Sequence, residues 1–269
     1  MEEKLNIKFN KSFGQNFIFD TNLLKAIVSD GGVTKNTEVL EIGTGAATLT
    51  KEIGLQAKKV VSYEIDKNLE STIFNTLSES TNVNVVFKDI MKESIENIEA
   101  NFAGDYVMVA NLPYYITTPI IFKFLETATR LKTMVIMVQK EVAERLVAKH
   151  NTEEYGAITA VINAVADTKI TRIVKRNMFI PAPNVDSAVV RIDFNKQKYN
   201  IKNYSNLSKL IKAAFHMRRK TLVNNLKSSF NLDKERVEDA FNKLNLSMSV
   251  RGEALSPEQF VMLSNLLFD

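Results

Sequence analysis

The chain has 269 residues, 45% hydrophobic and 25% charged, a length and balance that suit one sizeable α/β domain with a smaller appendage. It contains no cysteine and only two histidines, His150 and His216, which excludes disulfides, thiolate nucleophiles and Cys-based zinc sites and leaves no spacing suited to a transition metal. The net charge of +4 is unevenly spread: Asn195 to Leu232 carries nine basic residues and no acidic one, so the remainder is net acidic and the stretch reads as a footprint for a polyanion.

The N-terminus, Met1-Glu2-Glu3-Lys4, has neither the Arg-rich character of a transit peptide nor the apolar core of a signal peptide, and no apolar run approaches the length of a membrane span. A cytoplasmic protein without membrane attachment is expected, and a monomer. Asn6 through Phe19 form a polar and aromatic segment, containing Phe13-Gly14-Gln15-Asn16-Phe17, whose composition suits either a disordered arm or a lid.

From Thr37 to Gln139, Val- and Ile-rich runs alternate with helical spacing. Thr37–Ile42, Lys59–Ile65, Val83–Lys88, Tyr106–Ala110 and Thr133–Val138 are predicted strands buried on both faces of a parallel sheet. Leu69-Ile73-Leu77 and Ile120-Ile121-Phe124-Leu125 keep helical periodicity between them. The alternation predicts a doubly wound, Rossmann-like α/β sheet with a ligand at the carboxyl ends of its strands. Val185–Phe194 alternates more strictly, as an antiparallel closing strand would. Beyond it, Tyr204–Phe215, Lys220–Ser228, Asp233–Leu244 and Pro257–Leu267 read as helices, the last opened by the capping box Ser256-Pro257-Glu258-Gln259. A boundary near residue 195 is expected, with an α/β domain over 1–195 and a small all-α domain over 196–269.

The strand ends carry the chemistry. Glu41-Ile42-Gly43-Thr44-Gly45 closes the first strand with glycines at both turning positions, where the backbone can approach a ligand without Cβ interference. Glu64 ends the next strand about twenty residues on, where a carboxylate accepts hydrogen bonds from ribose hydroxyls. Asp89 ends the third and could receive an adenine amine. Gly-x-Gly, Glu and Asp on three consecutive strands form the pattern of a class I S-adenosylmethionine site, with a nicotinamide cofactor as the competing reading.

Asn111-Leu112-Pro113-Tyr114 follows the fourth strand and resembles the N-[LIP]-P-[YF] motif of amino-methyltransferases, which decides for S-adenosylmethionine. The lone pair of an adenine amine is delocalised into its ring. Two acceptors, the Asn111 side-chain oxygen and the Leu112 carbonyl, would draw its N–H groups out of plane and localise that pair. Pro113 would fix the backbone, and Tyr114 would offer a face for an extruded base.

With these residues in view, the chain resembles the KsgA/RsmA family of ribosomal RNA adenine dimethyltransferases over nearly its full length. Lys11-Ser12-Phe13-Gly14-Gln15-Asn16-Phe17 matches that family's N-terminal motif, and Asn111–Tyr114 with Ile116-Thr117-Thr118-Pro119 matches its catalytic loop. Phe179-Ile180-Pro181-Ala182-Pro183-Asn184-Val185-Asp186-Ser187-Ala188-Val189-Val190-Arg191 matches a long signature. Phe215 with Arg218-Arg219-Lys220-Thr221-Leu222, and Arg251 with Leu255–Phe260, match its helical domain.

The resemblance implies dimethylation of two adjacent adenosines in the 3′-terminal hairpin loop of 16S rRNA, on an immature small ribosomal subunit. It also implies that Asn16 and Ile18 join Gly43, Gly45, Glu64, Asp89 and Asn111 around the cofactor, and that Phe179 faces Tyr114 across the base. Arg218, Arg219 and Lys220 are the expected rRNA contacts. Thr44, Ala46 and Ala47 depart from the family's commoner Pro and Leu-Gly, and Tyr115 stands where Asn is frequent. Three alternatives stand beside this reading: the related large-subunit rRNA methyltransferases of macrolide resistance, a non-catalytic assembly or transcription factor, and a DNA adenine methyltransferase. The Phe179–Arg191 signature, the retained Asn111 and Tyr114, and the lack of a separate duplex-reading domain argue against each in turn.

Overall fold

The computed structural model describes residues 15–195 and 197–268. Lys11 to Gly14 of the N-terminal motif, and Lys196 of the basic stretch, lie outside the described residues. The strands are β1 (Phe17–Ile18), β2 (Glu38–Ile42), β3 (Lys59–Glu64), β4 (Val83–Phe87), β5 (Tyr106–Asn111), β6 (Leu131–Gln139), β7 (Ala166–Val174), β8 (Phe179–Ile180) and β9 (Ser187–Phe194). The helices are α1 (Thr21–Asp30), α2 (Thr48–Gln56), α3 (Glu70–Thr76), α4 (Ile95–Glu99), α5 (Thr117–Thr127), α6 (Lys140–Leu146), α7 (Ala157–Val165), α8 (Tyr204–Ala214), α9 (Leu222–Ser229), α10 (Lys234–Lys243) and α11 (Pro257–Leu267). None of these helices is long and apolar enough to cross a membrane.

Among the described residues, seven strands form one sheet in the order β4-β3-β2-β5-β6-β9-β7. β2 pairs in parallel with β3 and β5, as do β3 with β4 and β5 with β6, and β9 closes antiparallel on β6. The five apolar runs are therefore the parallel strands, and the alternating run is the antiparallel one. β2 is buried at every residue, as expected of a strand covered on both faces. β4 departs from that expectation: it lies at the sheet edge and is only half-buried.

The opposite edge strand, β7, has no apolar run to announce it. Side chains distant in sequence hold it: Arg172 grips Asp30 of α1 through Nε (2.7 Å) and Nη2 (2.6 Å), and the Thr171 hydroxyl donates to the same carboxylate at 2.7 Å. Burial alone would raise the Asp30 pKa, but these partners outweigh it and hold the carboxyl below its usual range.

The chain divides into two compact units. One runs to Ala143 and resumes over Lys169–Asp193; the other joins Glu144–Thr168 to the chain from Phe194 onward. The second unit thus includes an upstream segment that a single boundary near residue 195 leaves out. Within it the Tyr155 hydroxyl donates to the Leu255 carbonyl at 3.1 Å, and the Tyr155, Phe215 and Phe260 rings follow one another at 5.7 and 6.1 Å. α11 starts as its sequence dictates: Ser256 Oγ accepts the Gln259 N–H and Gln259 Oε1 accepts the Ser256 N–H.

Candidate active site

Strand order reverses between β2 and β5, and the carboxyl ends of β2, β3, β4 and β5 meet there around a cavity of about 310 Å³. That volume lies at the small end of small-molecule sites. Asn16, Ile18, Gly43, Gly45, Glu64, Asp89, Asn111, Leu112, Pro113 and Tyr114 all line it.

After β2 the chain turns through Gly43 (φ +83°) and Gly45 (φ +57°) into α2. A Cβ at Gly45 would also lie 2.8 Å from the Phe17 ring, so glycine is required there by conformation and by packing. Ala47 adopts φ +61° at the N-cap of α2, a left-handed residue at the position where the family more often has glycine.

The Gly45 N–H donates to Glu64 Oε2 at 2.8 Å, and the Asp66 N–H to Oε1 at 2.8 Å. Glu64 is 5% exposed. Burial pushes its pKa up against the pull of those two N–H donors, and the net shift is upward. A carboxylate oxygen has more than one lone pair, so Glu64 can hold the loop and still accept a hydroxyl from the cavity. Asp89, just past β4, is half-buried with Oδ1 fixed by the Met91 N–H at 2.9 Å.

Asn111 is the last residue of β5, and its Nδ2 donates to the Asn16 carbonyl at 3.0 Å. With the nitrogen turned to the N-terminal segment, Oδ1 is the end of the amide suited to accept a donor from the cavity. That segment is itself secured: Gln15 Nε2 donates to Asp66 Oδ2 at 2.9 Å, the Thr48 hydroxyl donates to the Ile18 carbonyl at 2.7 Å, and β1 pairs with β8. Gln15–Ile18 are therefore a fixed wall of the cavity. Past Pro113 the Ile116 N–H closes a tight turn on the Pro113 carbonyl, and Tyr114 Oη lies 2.7 Å from Ser187 Oγ.

Beneath the glycine turn lies a buried polar chain. The Ser62 hydroxyl donates to Glu41 Oε2 at 2.6 Å and stands 2.6 Å from Thr44 Oγ1. Burial pushes the Glu41 pKa up to about 8; hydrogen bonds from Ser62 and Thr50 partly offset this and the neighbouring Glu64 charge adds to it. Burial thus favours the protonated form of Glu41.

Two expected groups are not among the residues that line this cavity. Phe179 does not line the cavity: β8 pairs Phe179 with Ile18, and its ring is 3% exposed in the core cluster of Leu24, Ile27 and Val28. Phe179 is thereby joined to the N-terminal segment through the β1–β8 pairing. Arg218, Arg219 and Lys220 are exposed in the turn between α8 and α9, in the other unit, where Arg218 Nη2 donates to the Glu153 carbonyl at 2.7 Å.

Among the lining residues that went unforeseen are Ile65, Ile90 and Tyr115. Ile65 is 44% and Tyr115 57% exposed, open apolar surface of the kind a flat ring covers. A signal existed for the isoleucines, since each stands one residue past a strand-end acid.

A profile described as ribosomal RNA adenine dimethylase matches residues 6–269 of the chain. The chain is 43% identical over 268 residues to a ribosomal RNA small subunit methyltransferase A of Clostridioides difficile, covering 98% of this chain and 93% of the relative. Its counterpart in Bacillus licheniformis is 40% identical, with the same coverages. Among solved structures, a dimethyladenosine transferase of Plasmodium falciparum superposes with a TM-score of 0.79 at 25% identity, over 92% of this chain and 95% of that one. The 23S rRNA methyltransferase ErmE has the same fold, with a TM-score of 0.71 at 24% identity over 94% of this chain and all of its own.

Two measurements test the site. Glu64→Ala should weaken S-adenosylmethionine binding about ten- to hundredfold by calorimetry, the loss of roughly 1.5–3 kcal/mol from a charged acceptor. It should also lower the melting temperature, because the Gly45 N–H loses its partner; unchanged affinity would remove Glu64 from the cofactor site. Glu41→Gln tests the buried carboxyl. The folded chain binds that proton more tightly than the unfolded chain does, so stability conferred at low pH is lost as pH rises from 4.5 towards about 8. The variant should lack that decline, and its melting temperature should gain on the wild type across this window. Parallel curves would show that Glu41 is ionised at neutral pH.

Proposed function

The chain belongs to the ribosomal RNA adenine dimethylase family, and on that footing we propose that it dimethylates the exocyclic amines of two adjacent adenosines in the 3′-terminal hairpin loop of 16S rRNA. Its substrate in this reading is the immature small ribosomal subunit, its action takes place in the cytoplasm as a monomer, and the modification contributes to subunit biogenesis. S-adenosylmethionine, when bound, supplies an electrophilic methyl group on its sulfonium. The cavity fits that molecule: left-handed glycines let the main chain close on it, Glu64 can take ribose hydroxyls, Asp89 can take the adenine amine, and Ile65 and Ile90 supply apolar surface for the ring.

The observation that carries the reading is the 3.0 Å bond from Asn111 Nδ2 to the Asn16 carbonyl. It commits the amide to presenting Oδ1, the acceptor that a substrate amine requires. Asn111 Oδ1 and the Leu112 carbonyl then accept the two N–H groups, localising the lone pair towards the methyl. Tyr114 stacks on the base, a contact worth about 1–3 kcal/mol. After transfer the positively charged nitrogen is acidic enough to lose its proton to water, so the site needs no strong base.

Labelled methyl transfer onto small and large subunits that lack the modification, followed by mapping, tests the proposal. Label should fall on the two adjacent adenosines of 16S rRNA, two methyls on each; label on the large subunit would overturn the assignment. In the same assay Asn111→Ala should slow single-turnover transfer on the order of 10²–10³-fold with cofactor affinity retained.

The basic turn is proposed as a phosphate contact, and Arg218 must be treated apart because it already binds Glu153. Replacing Arg219 and Lys220 together by Ala should weaken small-subunit binding and flatten the plot of log affinity against log salt by roughly 0.7–0.9 per lost contact. Arg218→Ala should instead lower the melting temperature. An unaltered salt slope in the double variant would make these two residues surface only.

A further inference from the structure

We propose that Ser187 is the positioning residue that aims the Tyr114 ring at the substrate base. The inference rests on the reading of Tyr114 as the face on which adenine stacks.

Tyr114 occupies a single helical turn, Tyr114–Ile116, beyond the end of β5 and outside the sheet. Its side chain is half-buried, and two torsions set the direction of its ring. Ser187 fixes that direction from the far end: its Oγ lies 2.7 Å from Tyr114 Oη. Ser187 is fully buried at the start of β9, in register with Gln139 of β6. A hydroxyl buried to that degree needs a partner, and its side-chain bond is to the tyrosine.

Ser187 is itself held in place. The preceding Asp186 accepts the Lys140 N–H on its carbonyl at 3.0 Å, and its carboxylate takes the Lys175 ammonium at 2.9 Å and the Arg176 N–H at 3.0 Å. An aromatic outside the sheet is thus tied to a point braced by the sheet. Burial holds the Tyr114 phenol above its ordinary pKa, with Ser187 partly offsetting this, so the O–H···O pairing persists through neutral pH. The same contact gives the Asp186-Ser187 portion of the long signature a purpose of its own.

Single-turnover methyl transfer to unmodified small subunits, at saturating S-adenosylmethionine, tests the proposal. Ser187→Ala and Tyr114→Phe delete the same bond from opposite ends while keeping the ring. Each should slow transfer roughly three- to tenfold, the range for one neutral hydrogen bond, with cofactor affinity unchanged. The double variant should be no slower than the slower single one, because only one interaction is lost. A Ser187→Ala rate within twofold of wild type, even with a lowered melting temperature, would overturn the proposal, as would multiplicative losses in the double variant. Tyr114→Ala separates the two levels of the argument. If it slows transfer steeply while Ser187→Ala does not, stacking stands and positioning falls; if it leaves the rate at the wild-type value, both fall.

Discussion

The cavity depends first on the pairing of Glu64 with the main chain of the turn after β2. One buried carboxylate takes the Gly45 and Asp66 N–H groups at 2.8 Å each, so the ends of two adjacent strands are joined through a single side chain. Such charge-assisted bonds contribute about 1.5–3 kcal/mol, enough to hold a turn of left-handed residues in one conformation. Once that turn is set, the bare Cα of Gly45 makes room for the Phe17 ring. Phe17 and Ile18 then form the wall whose neighbour, Asn16, receives the Asn111 amide. The order runs from strand end to turn, from turn to wall, and from wall to the Asn111 amide.

The sequence revealed those features that are local or periodic. Parallel strands appear as Val- and Ile-rich runs because burial on both faces leaves few places for polar residues. The α11 capping box and the glycine turn are each contained within a handful of residues. β1 and β8 escaped notice because two residues carry no period, and β7 because ties to Asp30 more than 140 residues away hold it. The same limit explains Phe179. Its place in a motif was visible, but its burial behind Ile18 is decided by a strand pairing that no spacing announces. Glu64 was legible as an acceptor, whereas its bonds to Gly45 and Asp66 were not.

Both Asn111 and Tyr114 illustrate a division of labour in this site. Neither is fixed by its own neighbours in the chain; each is oriented by a group brought from afar, the Asn16 carbonyl in one case and Ser187 in the other. The N-terminal segment and the segment around Asp186 therefore set the orientation of side chains that belong to the Asn111–Tyr114 motif. The second unit carries its own version of the pattern, with Arg218 committed to Glu153 while Arg219 and Lys220 stand exposed beside it.

The partner chosen for the Asn111 amide has an evolutionary corollary. Every residue type carries the same main-chain carbonyl, so the orientation of the amide does not depend on which side chain occupies position 16. Point substitutions there can drift without turning the amide over. A one-residue insertion between Asn16 and Phe17 would shift the carbonyl along the chain while β1 stayed paired with β8. In this part of the chain the orientation of the amide is therefore protected against spelling changes and exposed to changes of length.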